Sequence, residues 1–162
     1  MKTIRKIQSL PDTECESPVI RTFLVDDDPA LLALLAKLLA REPRITIVGS
    51  TADARKAFHA AALSCADLVL TDLHMPMVDG LEVTRMLKQL RNPPVVFVVT
   101  SDDTPEAMTR CLSAGADAFI AKAADLQIQL RMAIQNSFPA ERDKDNPDSN
   151  RTYELLAATW PG

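Results

Sequence analysis

Two kinds of apolar pattern alternate along this chain. Short, nearly continuous runs rich in Val, Ile and Phe occur in RTFLVD, RITIVGS, ADLVLTD, PPVVFVVTS and DAFIAK. Between them lie longer segments whose apolar residues return at helical spacing: PALLALLAKLLARE, ADARKAFHAAAL, LEVTRMLKQL, TPEAMTRCLSAG and residues 124–136. In the third of these, Val83, Met86, Leu87 and Leu90 share one face. Strands alternating with helices from about Ile20 to Phe138 predict βαβ units and an α/β doubly wound parallel sheet of five strands with five helices. PPVVFVVTS has the unbroken apolar character of a central parallel strand covered on both faces.

The punctuation agrees. Pro29, Pro43, Pro76, Pro93, Pro94 and Pro105 all fall at segment edges, where a missing N–H does no harm. Thr104 before Pro105 reads as a helix cap, and Gly115 as a helix stop. Residues 1–19 read as a loose leader carrying Pro11 and Pro18. Residues 139–162, rich in charge, Asn, Asp and Ser, read as a tail with a short helix at Tyr153 to Ala158. The domain itself is expected over residues 20–138.

Composition narrows the function classes. A chain of 162 residues, 47% apolar and 25% charged, suits one globular domain. Its net charge of −4 gives no support for nucleic-acid binding. No run approaches the roughly 18 apolar residues of a membrane span. MKTIRKIQSLPDTE is basic but has no apolar signal core, so a cytoplasmic location is expected. Cys15, Cys65 and Cys111 lack metal-ligand spacing and read as reduced thiols.

The chemistry gathers at strand ends. Asp26, Asp27 and Asp28 follow the first strand, Asp72 closes the third, Thr100 the fourth and Lys122 the fifth. Strand C-termini of an open parallel sheet form its ligand crevice. Clustered carboxylates there suit a hard divalent cation such as Mg2+, and a lysine beside them suits a phosphoryl group. Asp28, directly before Pro29, reads instead as a helix N-cap. A carboxylate such as Asp72, next to a cation that screens phosphoryl charge, can act as a nucleophile toward phosphorus. Singly, each residue has a plain reading: solvated loop, strand terminus or surface lysine. Their joint placement favours the functional one.

FLVDDDP, TDLHMP with a glycine four residues after the proline, VVTS and SAGADAFIAK, at these spacings, resemble the receiver domain of two-component response regulators over about Arg21 to Asn136. The resemblance implies a flavodoxin-like sheet of strand order 2-1-3-4-5. It implies Asp72 as phosphoacceptor, with Mg2+ held by Asp26, Asp27, Asp72 and the main-chain carbonyl of His74. Thr100 and Lys122 correspond to the phosphoryl-sensing hydroxyl and amine, and Thr100 with Phe119 to the switch pair. It further implies a sensor histidine kinase or phosphotransfer protein as phosphoryl donor. A downstream protein would dock on the face of helix four, strand five and helix five, with a monomer or a phosphorylation-dependent dimer as the assembly. Such a domain assists its own phosphorylation and dephosphorylation without being a free-standing enzyme. The 24 residues after Phe138 are too few for a DNA-binding helical domain, so a stand-alone receiver without direct nucleic-acid contact is expected.

Two other readings compete. Asp26-Asp27-Asp28 contains an Asp-x-Asp pattern, and Thr100-Ser101-Asp102-Asp103 mimics a later acidic motif. These suit an aspartate-nucleophile phosphohydrolase of haloacid dehalogenase type with Asp26 as nucleophile and Asp28 as general acid. That reading leaves Asp72 and the Met75-Pro76 turn unexplained. A phosphorylation-independent pseudo-receiver would need a missing acid, and all are present. His59 has no ligand partner at suitable spacing and reads as a surface or half-buried helix residue, while the His74 side chain is expected at the border of the site. Where receivers carry proline after the lysine, this chain has Ala123. A cis bond there would cost roughly 2.5–4 kcal/mol, so a trans bond is expected. The spare N–H of Ala123 is expected to satisfy a loop acceptor. A less rigidly held Lys122 is the anticipated consequence.

Overall fold

The computed structural model describes residues 18–139. The chain runs β1 (Ile20–Val25), α1 (Pro29–Leu39), β2 (Ile45–Thr51), α2 (Ala54–Leu63), β3 (Leu68–Thr71), α3 (Gly80–Lys88), β4 (Val95–Thr100), α4 (Pro105–Ser113), β5 (Ala118–Ala121) and α5 (Leu126–Ser137). All neighbouring strands are parallel, in the order β2-β1-β3-β4-β5. This is the expected flavodoxin-like sheet. The leader and the tail, including the helix anticipated at Tyr153 to Ala158, lie outside the described residues.

Local chemistry sets the helix starts. The side chains of Asp28, Asp53, Asp79 and Thr104 each accept a backbone N–H from the first turn of α1, α2, α3 and α4. Each removes an otherwise unpaired donor at its helix start. Helix α4 stops where Gly115 takes a φ of +100°, a left-handed conformation that suits glycine.

The sheet is covered on both sides, which explains its apolar strands. On one face Leu24, Leu70, Phe97, Val99 and Ile120 pack against Leu35 and Leu39 of α1 and Leu126, Leu130 and Ile134 of α5. On the other, Phe23, Val25, Val69 and Val96 meet Ala54, Ala57 and Ala61 of α2 and Val83 and Leu87 of α3. Val98 continues that layer under Ala107 and Cys111 of α4, with Phe119 half-buried beside them. In α3 the fully buried stripe is Leu81, Val83, Thr84 and Leu87, and Met86 and Leu90 sit at its margins. Thr84 enters this stripe because its hydroxyl donates to the Gly80 carbonyl at 2.6 Å, leaving no polar atom unpaired. Among the described residues, no helix is long and apolar enough to cross a membrane.

Candidate functional site

The ladder continues one residue beyond each strand and thereby aims the acids and the lysine. Asp26 N–H donates to the Thr51 carbonyl at 3.2 Å, Asp72 N–H to Val25 at 2.9 Å, and Lys122 N–H to Thr100 at 2.8 Å. Each side chain therefore leaves the C-terminal edge of the sheet from a backbone already fixed. Asp26, Asp27 and Asp72 bring carboxylate oxygens within 4.8 Å of one another. The Lys122 ammonium lies 2.9 Å from Asp26 Oδ2 and 3.0 Å from Asp72 Oδ1.

Burial is unequal across the cluster. Side-chain exposure is 1% for Asp26, 8% for Asp72 and 16% for Lys122, whereas Asp27 is exposed. Burial pushes the Asp26 carboxyl above the ordinary range, helped by the charge of Asp72. The Asp28 N–H, which donates to Asp26 Oδ1 at 2.8 Å, and Lys122 oppose that rise. Burial also pulls Lys122 down, but its hydrogen bonds and charge contacts with Asp26 and Asp72 outweigh this and leave it above its usual value. The lysine stays charged between two carboxylates. Asp28 bonds outward to Ala30 N–H, so it caps α1 as expected and stays out of the cluster.

A close approach fixes the loop after Asp72. Gly80 N–H donates to the Leu73 carbonyl at 2.9 Å, and a Cβ on Gly80 would collide with the Asp72 carbonyl oxygen. Met77, at the tip of this loop, has φ +73° and is 84% exposed, a left-handed conformation that methionine adopts only at a cost. His74 is exposed and reaches across to the β4–α4 loop, with Nε2 3.1 Å from Asp102 Oδ2. Asp102 also accepts from the Thr104 hydroxyl at 2.7 Å, and its own N–H donates to Thr100 Oγ1 at 3.2 Å. The Thr104 hydroxyl first, then His74, hold the Asp102 carboxyl below its usual range. Asp102 thus joins the β3–α3 loop to the start of α4, a connection the sequence signals only as an Asx turn in TSDDTP.

Thr100 is fully buried at the end of β4. Phe119 lies back along β5 on the α4 side of the sheet. His59 is exposed on α2, with its ring edge-to-face with Phe58. No cis peptide bond occurs among the described residues, so Lys122-Ala123 is trans. The Ala123 N–H donates to the Ala121 carbonyl at 2.8 Å, the use anticipated for it. The anticipated looseness of Lys122 finds no counterpart in its contacts, which fix both its main-chain N–H and its ammonium.

An open parallel sheet with three acids and a lysine converging at its strand C-termini defines a doubly wound α/β domain with a charged ligand crevice. The chain matches the response regulator receiver domain over residues 22–135 and belongs to that family. A putative transcriptional regulator of Pseudomonas aeruginosa is 36% identical over 106 residues, 65% of this chain and 51% of that protein. The transcriptional regulatory protein PdtaR of Mycobacterium tuberculosis is 32% identical over 112 residues, 69% of this chain and 54% of that protein. The chain spans about half the length of these curated relatives. A LuxR-family two-component response regulator from an Aurantimonas species superposes with a TM-score of 0.70 at 26% identity, over 86% of this chain and 99% of that one. The receiver of Thermotoga maritima CheB shares the fold, with a TM-score of 0.67 at 23% identity over 76% of this chain and 99% of that one. Family membership leaves the phosphohydrolase reading without support.

Proposed function

We propose that the chain accepts a phosphoryl group on Asp72 from a phosphohistidine of a sensor histidine kinase or phosphotransfer protein, with Mg2+ at the adjoining acids. The observation that carries this is the charge balance of the cluster. Three carboxylates from Asp26, Asp27 and Asp72 face one ammonium from Lys122, leaving two negative charges uncompensated, the charge of one divalent cation. The donors are all oxygens, which suits a hard ion, and the His74 carbonyl is proposed as a further oxygen ligand. When bound, the ion supplies positive charge beside the reacting phosphoryl oxygens.

In the transfer, an Asp72 carboxylate oxygen attacks phosphorus and the phosphorus–nitrogen bond of the donor breaks. The histidine nitrogen leaves with the bonding pair, and Asp72 becomes an acyl phosphate. The Lys122 ammonium, 3.0 Å from Asp72 Oδ1 beforehand, turns to a phosphoryl oxygen. Thr100 is proposed to give up the Asp102 N–H and donate its hydroxyl to another phosphoryl oxygen. Phe119 turns inward with it, and the altered surface of α4, β5 and α5 meets a downstream protein. Hydrolysis resets the domain, which acts as a switch and not as an enzyme on a separate substrate. We place the exchange in the cytoplasm, in keeping with free Cys65 and Cys111. Residues 1–19 and 139–162 are proposed to flank the receiver as leader and tail.

Acetyl phosphate with magnesium, read by intact mass, tests this. The wild type should gain one phosphoryl group, and Asp72→Asn none. Label that survives in Asp72→Asn but disappears in Asp26→Asn would reverse the assignment of the nucleophile.

A further inference from the structure

β5 is a four-residue strand at the sheet edge, and its last residue, Ala121, directly precedes Lys122. The Lys122 N–H points inward to Thr100, so the main-chain groups of Ala121 point off the open edge. Both are satisfied there. Gln129, in the first turn of α5, accepts the Ala121 N–H on Oε1 at 3.1 Å, and the Ala121 carbonyl accepts the Ala123 N–H at 2.8 Å. Gln129 Nε2 donates in turn to Asp125 Oδ1 at 2.7 Å.

This arrangement has a visible cost. Four helices of the domain carry a side-chain cap, but Asp125, at the cap position of α5, makes no such bond. Its carboxylate is committed to Gln129 instead. Covering a strand edge requires only that some group lie over it. Here the cover is a glutamine that clamps the residue next to the active lysine through one bond and is itself held through a second by an acid diverted from its usual work.

We infer that Gln129 is a positioning residue for Lys122: with Asp125 it fixes the Ala121 peptide, and so holds the lysine main chain where its ammonium reaches both Asp72 and the phosphoryl group. This rests on the role proposed for Lys122 above. Lys122 has to pass from two carboxylates to a phosphoryl oxygen while its Cα stays in place. A shift of an ångström in such a group can cost on the order of a hundredfold in rate.

The test follows acetyl-phosphate labelling rate and phosphoryl lifetime in the full chain at saturating magnesium, for the wild type, Gln129→Met, and the D125N/Q129E exchange. Gln129→Met keeps the side-chain length but removes both bonds, and labelling should slow by about tenfold. The exchange preserves both bonds and reverses only the one between 125 and 129: the amide nitrogen at position 125 donates to the carboxylate at 129, which still accepts from Ala121 N–H. It should restore the rate to within about twofold of the wild type. Rescue of this kind is foreign to a role confined to bulk packing. Unchanged labelling in Gln129→Met overturns the inference, as does an exchange variant as slow as Gln129→Met. A wild type that takes no label at all would overturn the phosphoacceptor reading itself, and the inference with it.

Discussion

Asp26 is buried to 1% side-chain exposure among like charges, and one ammonium only partly offsets this. Its folded pKa lies above its unfolded value, so between the two the folded chain holds a proton that the unfolded chain has released. Its contribution therefore favours folding at the low end of that window and fades as pH rises through the folded pKa. The metal-free protein should accordingly lose stability as pH rises above the ordinary carboxylate range. Asp26→Asn should flatten this slope, and at neutral pH it should melt higher than the wild type. Magnesium requires ionised ligands, so its stabilising effect should grow over the same interval and be lost in Asp26→Asn. Melting curves from about pH 4.5 to 7.5, with and without magnesium, read all three effects. A wild type whose magnesium-dependent rise in melting temperature is the same at both ends of the range would contradict this account. Most of the site was legible at this scale because each residue ends a strand: Asp26, Asp72 and Lys122 announce themselves as a polar residue closing an apolar run. The Asp102 bridge and the Gln129 clamp were not legible. Both depend on which loop or helix comes to lie beside a strand end, and no short-range spacing records that.

Among the elements, the joint between α3, β4 and β5 shows how the sheet edge is tied down. Lys88, at the end of α3, donates to the Pro94 carbonyl at 2.8 Å and pairs with Asp117, whose Oδ2 also accepts the Val96 N–H at 2.7 Å. One ammonium and one carboxylate thus fix the entry of β4 against the entry of β5. Lys88→Met keeps the aliphatic stem and leaves the half-buried Asp117–Val96 pair without its cation. A loss of about 1–2 kcal/mol is expected, from two hydrogen bonds partly replaced by water. In a domain of this size that lowers the melting temperature by several degrees, on the order of 4 °C per kcal/mol. The joint lies at the opposite end of the sheet from Asp72, so labelling by acetyl phosphate should be unchanged; a slowed Lys88→Met would mean that the two ends are coupled. The elements themselves were readable from periodicity and caps. One boundary differs: α5 begins at Leu126, later than its apolar pattern suggests, with Asp125 at the cap position and its side chain bonded to Gln129.

At the scale of the molecule, the site sits at one end of a single sheet covered by helices on both faces, and the proposed switch would carry its output along β4 and β5 to a surface. Thr100 and Phe119 lie on adjacent paired strands, and Phe119 is only half-buried against the α4 layer. Helices α4 and α5 expose Met108, Leu112, Ile128 and Met132, each at least 43% accessible, so apolar side chains for a protein partner are already on the surface. The net charge of −4 gives this surface no general attraction for nucleic acid. A two-position element of this kind needs a bias of only about 1–3 kcal/mol, which one acyl phosphate with its lysine and threonine contacts can supply. Phosphorylation should therefore change amide exchange in the β4–α4 loop, α4 and β5, with little change in α2, which packs over β2 and β1 at the other end of the strand order from β5. Phe119→Ala should accept the phosphoryl group at a rate close to the wild type yet show a reduced exchange change in α4, because in the proposed switch the ring links Thr100 to that surface. Hydrogen–deuterium exchange on the two proteins, each with and without acetyl phosphate and magnesium, reads the difference. Should α4 respond identically in Phe119→Ala, the signal must leave the site through the Thr100–Asp102–Thr104 loop alone, with the aromatic ring a bystander.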